Sequence, residues 1–204
     1  MKLIKVVLVA LVLFVNLFVA QYSWADPISE KSPDYPEITQ TLNNLLQAKA
    51  NPKDSGYSAE DLQQKIAALQ FQKYIMESTE DWGVCSNQTN KTIGVYAHKP
   101  KKHSAASENT LYYLGAGETT DDDWDCDGVY LPNGVKAGGL VGDAAGAVKI
   151  VDGTRLVVSS NPATGEIEFN APLAQAFKAG EGNWSIPDLS QADIDAQVPN
   201  APID

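Results

Sequence analysis

The chain contains two cysteines, Cys85 and Cys126, and two cysteines allow one intramolecular pairing. What decides whether that pairing forms is the first 25 residues. Lys2 and Lys5 precede a run from Val6 to Ala20 that is apolar except at Asn16, and Ser23 and Ala25 supply the small residues of a cleavage site. This is the pattern of a secretory leader, expected to be removed after Ala25. The run is shorter than the ~18 to 20 apolar residues of a spanning helix, so no membrane span is expected after cleavage. The expected location is a periplasm, a lumen or the extracellular space, and in such oxidising compartments the two cysteines pair. A Cys85–Cys126 bond ties residues 41 apart and bounds every fold the chain can adopt.

Periodicity divides the chain beyond the leader. Residues 26–35 read as a flexible lead-in. Over 36–78 apolar residues recur at spacings of three and four: Ile38, Leu42, Leu45 and Leu46, then Leu62, Ile66, Leu69 and Tyr74. That spacing predicts two amphipathic helices. Pro36 suits a first turn, and Ser58 followed by Glu60 and Asp61 suits an N-terminus. The linker between them, from Pro52 to Tyr57, makes the pair a helical hairpin. Its apolar stripes pack on each other and on the next domain, or serve a partner.

From Trp82 the period falls to two. Short runs around Ile93–His98, Thr110–Leu114, Gly128–Leu131, Ala147–Val151, Arg155–Ser159 and Glu166–Phe169 read as strands of a β-domain over 79–170. Asp152-Gly153 is the dipeptide of a two-residue hairpin turn. Trp82 and Trp124, each close to a cysteine, are expected to pack on the disulfide. Residues 171–204 read as a short helix over Pro172–Lys178 and an acidic tail with Pro187, Pro199 and Pro202, which docks through Trp184, Ile186 and Leu189 or stays mobile and offers them to a partner. The fold class is α+β: an N-terminal helical hairpin followed by a small antiparallel sandwich or barrel with one disulfide.

Charge narrows the function. The chain carries 26 Asp and Glu against 15 Lys and Arg, a net −11, and losing Lys2 and Lys5 makes it more acidic. Nucleic-acid binding needs a cationic stripe, and the only basic cluster, Lys99, Lys101 and Lys102, spans one short loop flanked by His98 and His103, which reads as a solvated loop or, with no third ligand fixed, as an imidazole pair for a transition metal. The glycines between Gly134 and Gly146 lack the Gly-Lys-Ser/Thr of a phosphate loop, and a Gly-x-Ser-x-Gly elbow is also missing.

Chemistry concentrates in Asp121-Asp122-Asp123-Trp124-Asp125-Cys126-Asp127-Gly128. Asp123, Asp125, Asp127 and Gly128 repeat the first half of a calcium loop, where alternating carboxylates converge on a hard cation. Gly134 stands where the bidentate acid would be. The run is therefore either a solvated turn or a weak calcium site with Asp121 as a further ligand. Sequons for N-linked sugar occur at Asn87, Asn90 and Asn183. The resulting reading is an exported, non-enzymatic binding or structural protein, with a secreted hydrolase as the alternative.

Breaking the Cys85–Cys126 bond should lower the unfolding free energy by about 4 kcal/mol on the chain-entropy account, measured by denaturant titration with and without reductant.

Overall fold

The computed structural model describes residues 26–50, 56–100, 109–137, 144–181 and 184–203. The leader expected at residues 1–25 lies outside them, as do Lys101, Lys102, His103 and Asn183. The class is α+β. A short 3-10 turn at Ile28–Glu30 leads into helices α1 (Tyr35–Ala50) and α2 (Ala59–Ser78). The strands are β1 (Val84–Asn87), β2 (Ile93–His98), β3 (Thr110–Leu114), β4 (Asp125–Leu131), β5 (Gly146–Lys149), β6 (Arg155–Ser160), β7 (Ile167–Phe169) and β8 (Gln175–Lys178). A one-turn helix, α3 (Gln191–Asp195), comes last.

Local chemistry sets the helices as the sequence implies. Ser58 caps α2, its hydroxyl accepting from Asp61 N at 3.0 Å, which satisfies one of the free amides of the first turn. Leu42, Leu62 and Ile66 form a buried cluster between the two helices, with Leu45 and Leu69 half-buried beside it. Nearer the β-domain, Ile38 of α1 and Met76 of α2 pack with Ile28 and Val151. Leu46 and Tyr74 depart from the predicted stripe: both are exposed, Tyr74 at 64 %. Tyr74 sits about 120° around the helix from Leu62, given 100° per residue, and so misses the interface.

The strands form two open sheets rather than a barrel. One has the order β1-β6-β7 and the other β3-β2-β4-β5-β8. Pairing is antiparallel except between β1 and β6, which run parallel, a departure from the wholly antiparallel expectation. The two sheets share a core of Val95, Val129, Val148, Ile150, Leu156 and Val158, into which the Cys85–Cys126 disulfide is built, Cα atoms 5.9 Å apart. This bond joins β1 of the small sheet to β4 of the large one. Trp82 and Trp124 do not cover it. Trp82 packs with the Ile28 cluster, and Trp124 meets Tyr112 edge-on at 5.6 Å, because both lie just outside the strands that carry the sulfurs.

Three other segments differ from the sequence reading, and the tail takes the docked one of its expected courses. Asp152-Gly153 does not close a hairpin, since β5 and β6 belong to different sheets; it turns the chain from one layer to the next. Gly153 has φ +82°, and a side chain there would collide with Thr79 and press on Ile28. The lead-in is docked: Ile28 is fully buried and its N–H donates to Thr79 O at 2.7 Å. The segment expected to be a helix after Pro172 holds strand β8 instead, paired with β5 from Gln175 to Lys178, where an open sheet edge outweighs a weak local preference. The acidic tail covers the second face of the large sheet, where Trp184, Ile186, Leu189 and Ile194 pack on Tyr96, Tyr130 and Ala147.

Leu62→Ala should cost about 2 to 5 kcal/mol in unfolding free energy, whereas Phe71→Ala, on the exposed side of the same helix, should stay near zero; chemical denaturation of the two variants checks the orientation of α2.

Candidate metal centre

Strand β4 carries one residue more than its partner. Tyr96 pairs with Gly128 and Ala97 with Cys126, so Asp127 is a β-bulge. In a strand, side chains alternate between faces, and an extra residue reverses the alternation beyond it. Without the bulge Cys126 would share a face with Gly128 and Tyr130, and Asp125 and Asp127 would share one with Val129. With it, Cys126 and Val129 both enter the disulfide core, and the two carboxylates leave it. Asp125 pairs in register with His98, whose side chain lies on the same face as Tyr96, two residues earlier.

The result is a buried cluster. His98 Nδ1 lies 2.7 Å from Asp127 Oδ2. Asp125 is 1 % exposed and accepts from the backbone N–H of Gly83 at 2.9 Å. Asn109 bridges the cluster to the tail: its amide nitrogen donates to Asp127 Oδ2 at 2.9 Å and its oxygen accepts from Trp184 Nε1 at 3.1 Å. His98, Asp125 and Asp127 can each offer one ligand atom such that all three lie within 4.8 Å of one another, the one such group among the described residues. Donors bound to one ion at ~2.0 to 2.2 Å lie no more than about 4.4 Å apart, so the three side chains would draw slightly closer around an ion of that size.

Around it sits a second tier of charge. Asp152, in the turn after β5, is buried, and Lys149 is ion-paired to Asp34 of the N-terminal segment. Burial is the main force pushing the Asp125 carboxyl up to about 9, and the negative charges of Asp152 and Asp127 add to it. Burial likewise raises Asp152 to about 6, against a hydrogen bond from Ser32 that holds it down. The bond to Asp127 raises His98 above the ordinary imidazole value, with burial opposing. Three carboxylates are thus held where water screens them poorly, and one of them keeps its proton at neutral pH. A cation could take that proton's place.

The structure divides the acidic run that the sequence joined. Asp121 accepts from Asp123 N at 2.7 Å in a turn, and Asp122 and Asp123 are exposed. Asp125 and Asp127 are inside, so the four do not form a loop of the calcium type. Sequence reasoning offers His98 to a metal only in a pair with His103, which lies outside the described residues, reads Asp152 only as a turn residue and passes over Asn109. The period-two relation of His98 to Tyr96 is the available signal. Trp184, Ile186 and Leu189, expected as a docking or partner surface, pack on their own sheet: Trp184 lies 4.6 Å from the Tyr96 ring and 5.4 Å from Phe177, and Leu189 N donates to the Tyr130 hydroxyl at 3.0 Å.

Comparison with protein-family models, curated proteins and solved structures gives no significant match to this chain.

Trp184→Phe keeps an aromatic ring but loses the hydrogen bond to Asn109 with the smaller part of the indole, and should cost at least the ~0.5 to 1.5 kcal/mol of that bond. Trp184→Ala also empties the face over Tyr96 and should cost about 3 to 5 kcal/mol. Denaturant unfolding of both separates the polar from the packing contribution.

Proposed function

We propose that this protein works by binding, and that its β-domain holds a divalent cation of the first transition row on His98, Asp125 and Asp127. The observation that carries this reading is the convergence of one imidazole and two carboxylates within 4.8 Å, on a rigid pair of strands rather than a loop. Donor chemistry supports the choice of ion. Ca²⁺ takes six to eight oxygens, whereas an imidazole with carboxylates suits Zn²⁺ or Mn²⁺. The neighbouring negative charge of Asp152 also favours a cation, and Asn109 would hold Asp127 in place as an outer-shell partner. The disulfide is compatible with an exported protein, and among the described residues no helix is long and apolar enough to cross a membrane.

The test is thermal and denaturant unfolding of chelator-treated protein with Zn²⁺, Mn²⁺ or Ca²⁺ added separately. Zn²⁺ or Mn²⁺ at a hundred times its dissociation constant should stabilise the fold by about 2.7 kcal/mol. His98→Ala and Asp127→Asn should each lose most of that increment, whatever they do to the metal-free stability. Stabilisation by Ca²⁺ alone, retained in His98→Ala, would replace this reading with an all-oxygen site. No response to any of the three ions would reduce the cluster to a hydrogen-bonded element of the fold.

A further inference from the structure

Two of the sequons lie three residues apart, Asn87-Gln88-Thr89 and Asn90-Lys91-Thr92, and the fold treats them in opposite ways. Asn87 is fully buried at the end of β1. Its side-chain nitrogen donates to Lys91 O at 2.8 Å, Leu114 O at 3.0 Å and Gly115 O at 2.9 Å. Its oxygen accepts from Thr89 N at 3.0 Å and from the Thr89 hydroxyl at 2.7 Å. The two side chains that define the sequon are therefore bonded to each other inside the protein, and they fix the loop from β1 to β2. Asn90 sits on the outside of that loop and is exposed. It borders a cavity of about 420 Å³ whose wall combines Gln88, Ser160, Asn161 and Gln191 with the apolar Val135 and Ile167. Among the described residues no Asp or Glu lines this cavity, although acids outnumber bases across the chain. Amide and hydroxyl groups of this kind hydrogen-bond sugar hydroxyls.

We infer that Asn90 is an acceptor for an N-linked sugar on the folded chain, its first sugar units resting on this wall of amide, hydroxyl and apolar groups, and that a glycan on Asn87 and the native fold exclude each other. The transfer uses a polyprenyl-diphosphate-linked oligosaccharide and an oligosaccharyltransferase. The side-chain nitrogen of asparagine forms a bond to the anomeric carbon, the bond from that carbon to the diphosphate oxygen breaks, the polyprenyl diphosphate leaves with the electron pair, and the nitrogen gives up one proton. At Asn90 this places the sugar in solvent beside the cavity. At Asn87 it would remove one of two hydrogens that serve three buried carbonyls, and would push a polar group larger than a side chain into a close-packed interior. The consequence concerns biogenesis. A chain modified at Asn87 before folding cannot reach the native state, so this protein matures where unfolded Asn-X-Thr segments escape glycosylation. The inference is independent of the cation reading.

The experiment uses the full mature chain with Asn183→Gln, so that two sequons remain, and a purified oligosaccharyltransferase with its lipid-linked donor. Mass spectrometry of peptides should find the folded, disulfide-bonded protein modified on Asn90 and not on Asn87, and the reduced, unfolded protein modified on both. In an Asn90→Gln background the unfolded chain glycosylated at Asn87 should fail to regain the Cys85–Cys126 bond and the cooperative melting transition. The unmodified Asn90→Gln chain, carried through the same cycle, should regain both. Modification of Asn87 in the folded protein, or refolding of the Asn87 glycoform to the native melting temperature, would overturn the exclusion. A folded chain that leaves Asn90 unmodified would overturn the assignment of the acceptor.

Discussion

A strand that carries both a disulfide and two carboxylates has a parity problem. Cys126 has to face inward to reach Cys85, and Val129 has to face inward to fill the core, yet the two are three residues apart and a regular strand would send them to opposite faces. The extra residue at Asp127 resolves this. The two sheets are joined because the bulge lets sulfur and valine share an interior, and the acids are expelled to the opposite face by the same step. The candidate cation site is thus a by-product of the way the β-domain is closed, and bulges recur beside functional groups for this reason.

That opposite face would normally be half-wet, and three separate pieces of chain keep it dry. The N-terminal segment brings Ser32 and Asp34, the turn after β5 brings Asp152, and the tail brings Trp184 through Asn109. The helical hairpin supports the first two, since Ile38 and Met76 pack on Ile28 and Val151. Burial of Asp125 results from all of these together, and so does its hold on a proton. Each acid alone would be ordinary; the enclosure makes them matter.

The parts of this structure legible in the sequence are those governed by local rules. The cap at Ser58, the apolar spacing of Leu42, Leu62 and Ile66, and the cysteine count each depend on a few neighbouring residues or on simple arithmetic. What could not be read depends on choices between distant partners. Asp152-Gly153 has the chemistry of a tight turn and makes one, but nothing near it records whether the next strand stays in the same sheet. The acids from Asp121 to Asp127 share one composition, and only pairing of Asp125 and Cys126 with β2, with Asp127 bulged between paired residues, separates the buried pair from the turn. A β-bulge is invisible as a pattern, because it is defined by the partner strand. His98 and Asn109 lie 11 residues apart in the sequence and meet Asp127 only through that pairing.

The tail has a consequence for how the chain comes to be folded. Residues 184–194 supply the cover for an aromatic face that includes Tyr96 and Tyr130, and residues 200 and 201 bond to the backbone of Tyr113 at the edge of β3. During synthesis from the N-terminus, this face stays bare until residues 184–194 have emerged. Closing of this layer therefore waits for the tail, and a fragment ending before Trp184 would present its sticky side to chaperones or to its own copies.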